Sequence, residues 1–220
     1  MKNKLKVAVI VGYHSFEFPA FQDFFESIEE IHPYIQHLEQ FTSSSKAIRE
    51  SYDALLFYTM CNATPVNDGP WYEGKALDAL SELGDTSQGL IVLHHSLMAF
   101  PDWPVWESIC GVDPKSFTDY ALDQDLRFVI NDREHYITRG MEDFSMTDEA
   151  YLMGPSRDSR PLVCSASPNN MPHVAWVRQY RASRVFCYQS GHGPSSWNRR
   201  EFREILRRGF LWTAGRELEA

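Results

Sequence analysis

The sequence predicts an α/β fold, a three-layer sandwich in which helices cover both faces of a mostly parallel central sheet. Three observations predict it. Val7-Ala8-Val9-Ile10-Val11-Gly12, Ala54-Leu55-Leu56-Phe57-Tyr58 and Gly89-Leu90-Ile91-Val92-Leu93 are unbroken apolar runs, the pattern of strands buried on both faces. Residues between these runs return at helical spacing. Strands that alternate with helices assemble as parallel sheets through right-handed crossovers.

Phe21, Phe24, Phe25, Ile28 and Ile31 place a helix after the first strand, ending near Pro33. Ala76, Leu77, Leu80 and Leu83 place another before the third strand, with Gly84 as its cap. Pro101, Pro104 and Pro114 interrupt the chain around Trp103 and Trp106, which suggests a short helix and an irregular lid. Strands follow at Leu126–Ile130, Pro161–Cys164, Val174–Val177 and Arg184–Tyr188. Phe202, Ile205, Leu206, Gly209 and Phe210 form one face of a last helix, with Ser195 or Ser196 as its N-cap. No repeat or linker divides the chain, so residues 1–220 are expected to form one domain.

Composition narrows the function classes. The 220 residues carry a formal net charge of −9, which argues against nucleic acid or an anionic membrane as partner. Hydrophobic residues at 43% and charged residues at 23% are those of a folded globular protein. No apolar run is long enough to span a membrane and the N-terminus has no cleavage signal, so a cytoplasmic protein is expected. Cys61, Cys110, Cys164 and Cys187 are too scattered for a zinc knuckle or a disulfide scaffold and read as reduced thiols. The oligomeric state is left open, a homo-oligomer included.

In open α/β sheets ligands bind beyond the carboxyl ends of the strands. There the sequence places Gly12-Tyr13-His14, Met60-Cys61-Asn62, His94-His95-Ser96 and Gln189-Ser190-Gly191-His192-Gly193. Three of these four loops carry histidine. Asp148-Glu149-Ala150-Tyr151 adds two adjacent carboxylates. Imidazoles from His14, His94 and His192 with the Glu149 carboxylate are the donor types that hold zinc or a similar divalent ion. The same groups also suit metal-free acid–base chemistry, and the carboxylates alone read equally as a helix cap or as partners of an arginine. Successive strand residues face opposite ways, so of the two neighbours His94 is assigned to the site and His95 to packing. Ser96 lacks the small flanking residues of a nucleophile elbow, and no cysteine stands there.

Several segments, in their order and spacing, resemble the trehalose-utilisation family of ThuA-like proteins. They are Gly89–His94, His135–Met141 with Phe144, Asp148–Tyr151, Pro172–Trp176, Ser183–Tyr188, Gly191-His192, Trp197 and Gly209–Gly215. The resemblance covers nearly the whole chain and implies a flavodoxin-like sheet similar to class I glutamine amidotransferases. It departs from the family pattern at His135-Tyr136, where a proline commonly follows the histidine, and at His95. It implies a role in carbohydrate utilisation, on a disaccharide such as trehalose or on a ketosugar, and matches family positions at His94, Glu149 and His192. Those three are therefore the catalytic candidates, and with His14 the ligand set for a zinc or manganese ion. Glutaminase chemistry is not implied, because the amidotransferase cysteine is missing.

Two functions remain from this reading. One is an enzyme on a sugar derivative, with a histidine and carboxylate site that is metal-assisted or acid–base. The other is a carbohydrate-binding or regulatory protein that uses the same cleft. For sugar contact the candidates are Trp103 and Trp197, with Trp106 a third stacking ring, and the polar side chains of Asn62 and Tyr151.

Overall fold

Nine strands form one sheet in the order β2-β1-β3-β4-β9-β8-β7-β5-β6 in the computed structural model, which describes residues 4–217. The strands are β1 (Leu5–Gly12), β2 (Ile31–His37), β3 (Ala54–Thr59), β4 (Gly89–Leu93), β5 (Asp119–Ile130), β6 (Phe144–Leu152), β7 (Arg160–Ser165), β8 (His173–Tyr180) and β9 (Ser183–Tyr188). The helices are α1 (Phe18–Glu26), α2 (Leu38–Ser43), α3 (Lys46–Arg49), α4 (Ala76–Ser81), α5 (Pro104–Cys110), α6 (Pro194–Trp197) and α7 (Arg200–Thr213). Short 3-10 turns occupy Trp71–Glu73, His94–Met98 and Pro114–Ser116.

The expected α/β fold is present, but the sheet is mixed rather than mostly parallel. Strands β2, β1, β3, β4 and β9 run parallel, whereas β9, β8, β7, β5 and β6 pair antiparallel. Connection length decides it for β8 and β9. A parallel crossover needs about a dozen residues, and only Arg181 and Ala182 separate β8 from β9. The helical patterns that signal crossovers stop with the first half of the chain.

Alternation along the parallel strands divides the core between two faces. Val7, Val9, Val11, Leu56 and Tyr58 pack with Phe21 and Phe25 of α1, Trp197 of α6 and Phe202, Ile205 and Phe210 of α7. Ala8, Ile10, Leu55 and Phe57 pack with Phe41 of α2, Leu80 of α4 and Trp106 and Ile109 of α5.

Four local expectations are corrected. Helix α1 stops at Glu26, and Ile31 opens β2, in which Pro33 sits at the sheet edge, a place that tolerates a residue with no N–H. The segment around Trp103 and Trp106 is no lid, because Phe100, Trp103, Trp106 and Ile109 are core residues. Ser195 and Ser196 lie inside α6, whose N-cap is Gly193, and α7 starts after Arg199. Helix α4 ends on Glu82, and Gly84 takes a left-handed φ of 84° in the turn beyond it.

Helix α7 approaches β9 closely enough to require glycine at position 209. A Cβ there would stand 2.5 Å from the buried Phe186 ring. Gly209→Ala gains about 1 kcal/mol of helix propensity but incurs about 1–3 kcal/mol of overpacking. The expected outcome is a lowered urea midpoint at unchanged m-value; a midpoint at or above that of the parent protein contradicts the packing argument.

Candidate functional site

Strand β4 ends at Leu93 and the backbone turns sharply at His94, which has a φ of 54°. A non-glycine residue in this region costs of order 1–3 kcal/mol and persists only where its surroundings impose it. Here they do. The Ser96 hydroxyl donates to the Thr59 carbonyl (2.8 Å) and accepts the Thr59 N–H (2.5 Å), locking the turn to the end of β3. His94 Nδ1 lies 2.7 Å from the Gln189 carbonyl. A carbonyl only accepts, so Nδ1 carries the proton and Nε2 is directed away from it.

Nε2 faces three other groups, one of them the Tyr151 hydroxyl at 2.9 Å. Glu149 Oε2 is 2.9 Å away and His192 Nδ1 3.3 Å, while the Glu149 to His192 distance is 3.1 Å. His94 is fully buried, Glu149 is buried, and the His192 side chain is 38% exposed, which makes it the member nearest solvent. Burial pushes the Glu149 carboxyl up, but the His192 and His94 imidazoles beside it outweigh burial and hold it well below the usual range. The Glu149 hydrogen bond raises the pKa of His192 against the burial of its ring.

Three potential ligand atoms thus face one small volume, where protons on the imidazoles or a cation in their place would join them. They are the group among the described residues suited to hold a metal ion. Ligand distances of about 2.0–2.2 Å give donor-to-donor edges of roughly 2.8–3.6 Å for tetrahedral or octahedral ions, and all three edges fall in that range.

The other expected residues separate. His14 stacks on His95 at 4.3 Å and meets the His192 ring edge at 6.4 Å, so it borders the triad without joining it. His95 is buried between the His14 and Tyr58 rings. Burial, then the neighbouring His94 and His14, hold its pKa well below the ordinary value. Because the chain turns at His94, both histidines stay beside the site despite the strand alternation. The Tyr151 hydroxyl is 2.9 Å from His94 Nε2 and its ring stacks on the imidazole. Asn62 is exposed in the loop after β3, and no hydrogen bond among the described residues joins it to the triad.

Trp103, Trp106 and Trp197 are buried and offer no open stacking face. Trp197 instead donates its indole N–H to the Gly191 carbonyl (2.9 Å), as does the Tyr58 hydroxyl (3.0 Å). Asp148 and Glu149 cap no helix, since both lie in β6. Asp148 accepts the backbone N–H groups of Gly191 (2.8 Å) and His192 (3.1 Å). Sequence reasoning missed Tyr58, Gln189 and Asn170 as supports. For Gln189 a signal existed, its place directly after β9; Asn170 carries none.

A model of the family described as trehalose utilisation, ThuA, matches residues 14–213. No curated protein is similar enough to match. Among solved structures, a protein of Parabacteroides merdae described as ThuA-like shares 15% identity at a TM-score of 0.74, covering 99% of this chain and 93% of that one. A cytoplasmic protein of Salmonella typhimurium shares 11% at 0.68, covering 95% and 99%. A glutamine amidotransferase of Methylobacillus flagellatus shares 12% at 0.52, covering 86% and 70%. At these identities the likeness is one of fold.

Asp148 ties the His192 loop to β6 through two hydrogen bonds to a charged acceptor, each worth about 1.5–3 kcal/mol. Asp148→Asn turns an amide NH₂ toward one of the two N–H groups. A loss of at least about 1.5 kcal/mol in urea unfolding is expected, with amide shift changes centred on Gly191 and His192; shifts confined to β6 would deny the tie.

Proposed function

This chain belongs to the ThuA family of trehalose utilisation, and on that premise we propose that it is an enzyme acting on a small carbohydrate derivative, a disaccharide or ketosugar, at the His94, Glu149 and His192 cluster. The observation that carries this is the triangle of donor atoms with edges of 2.9, 3.1 and 3.3 Å. The three residues would hold a divalent cation, zinc or manganese. When bound, such an ion supplies a Lewis acid toward a sugar carbonyl or hydroxyl.

The chain's own residues account for the rest. The Gln189 carbonyl fixes the His94 tautomer, and the buried walls around His94 and Tyr151 exclude water from one side. His192 faces the ligand from its partly exposed position. A metal-free reading is favoured by one observation, the pairing of His192 with Glu149. The raised pKa of that imidazole favours its protonated, proton-donating form, with the carboxylate as its counter-charge.

No helix among the described residues is long and apolar enough to cross a membrane, which fits a ligand taken from water. Glutamine hydrolysis is not expected, because the turn at the end of β4 carries an imidazole in place of a thiol nucleophile.

Calorimetric titration of chelator-treated protein with zinc and with manganese tests the metal. One site per chain is expected, and His192→Ala should weaken it at least about tenfold by removing one ligand. Equal affinity in the two proteins would transfer the function to the acid–base reading. Under either reading Glu149→Gln should abolish turnover of a ketosugar substrate while the protein stays folded, and ammonia release from glutamine should not exceed that of a heat-inactivated control.

A further inference from the structure

Strand β6 ends the sheet, so beyond β5 it has no strand to bond. At Glu149 and Tyr151 its outward backbone groups are nevertheless satisfied, and by side chains. Gln189 Nε2 donates to the Glu149 carbonyl at 2.8 Å. Asn170 Oδ1 accepts the Tyr151 N–H at 2.9 Å. The two carboxamides are joined, Asn170 Nδ2 donating to Gln189 Oε1 at 3.2 Å. Residues two apart on a strand present their backbone groups to the same side, so one N–H and one C=O are met as a neighbouring strand would meet them. Gln189 is fully buried and Asn170 nearly so.

Gln189 also acts at its other end. Its carbonyl holds His94 Nδ1 at 2.7 Å, and its own N–H is anchored on the Val174 carbonyl at 2.8 Å. A single residue therefore touches the backbone that carries Glu149 and the ring of His94, the two groups whose 2.9 Å contact opens the triad. We infer that Gln189 and Asn170 are positioning residues, an amide pair that replaces the missing strand along β6 and sets the Glu149 carboxylate against His94 Nε2. Neither residue touches the space enclosed by the triad. They act through Glu149 and His94, in the way that outer hydrogen bonds orient metal ligands, where their removal costs about 10- to 100-fold in affinity.

The metal half of the test rests on the cation site proposed above; the other half does not. Gln189→Met keeps the volume and the backbone carbonyl but removes the amide. Imidazole ¹⁵N spectra of the metal-free protein should show His94 Nδ1 unchanged, still protonated and bonded to residue 189, while Nε2 shifts as its carboxylate partner moves off. Zinc affinity should fall about 10- to 100-fold. Ser183→Ala serves as the control, since it removes part-buried hydrogen bonds to the Thr86 and Gln88 carbonyls at the far end of β9. It should lower the melting temperature and leave both site readouts in place.

Should Gln189→Met fail to fold, Asn170→Asp carries the same test. It keeps the acceptor for Tyr151 and loses the donor to Gln189, and it should shift Nε2 in the same direction. An Nε2 resonance unchanged in the folded variant overturns the inference, as does an equal zinc loss in Ser183→Ala. If the parent protein binds no zinc, the cation site fails and the Nε2 resonance alone decides the positioning role.

Discussion

A carboxylate oxygen held within 2.9 and 3.1 Å of two imidazole nitrogens does not stay there unaided. Electron pairs brought that close repel unless a proton or a cation lies between them, and burial of His94 and Glu149 removes the water that would otherwise screen them. The surroundings must also hold the three groups in place. Much of the architecture at this end of the sheet follows from that requirement.

The hydrogen bonds of the Gln189–Gly193 loop show how it is met. Gln189 N–H bonds to β8, Gly191 and His192 N–H to Asp148, and the Gly191 carbonyl to Tyr58 and Trp197. The loop therefore has little freedom to carry His192 away. The mixed sheet serves the same end. In the strand order β6 lies four places from β9, yet Glu149 and Asp148 reach the residues that directly follow β9. The antiparallel half brings its edge strand β6 back to the carboxyl edge of the parallel half. Large buried aromatics, Tyr58 and Trp197 among them, brace this closure with polar atoms as well as with apolar area.

The parallel half was legible in the sequence because burial on both faces writes itself as unbroken apolar runs, and β1, β3, β4 and β9 all lie where those runs predict. Strand β2 was not, since an edge strand with a proline and two histidines has no such run. Strand β6 was hidden by its function: Asp148 and Glu149 have poor strand propensity and are present for what they bond. At the site, the rule that ligands gather at the carboxyl ends of strands found His94 and His192, and the adjacent carboxylates drew notice to Glu149. The tryptophans misled, because an indole reads the same in sequence whether its N–H braces a buried loop or its face meets solvent. Asn170 was invisible for a different reason. Its role is a hydrogen bond across 19 residues to Tyr151, and no local pattern encodes that.

The turn at His94 links fold to chemistry. Its left-handed backbone at the end of a central strand is the geometry that nucleophile elbows use to lift a reactive side chain clear of the sheet. A thiol in that place attacks a carbonyl carbon. An imidazole fixed at Nδ1 and paired at Nε2 with a carboxylate is instead a ligand or a proton carrier. The strain of the turn is matched by the two hydrogen bonds between Ser96 and Thr59, neither of which involves the side chain at position 94. The same backbone device can therefore present a thiol or an imidazole, so likeness of fold to a glutamine amidotransferase does not by itself carry that enzyme's reacting group into this chain.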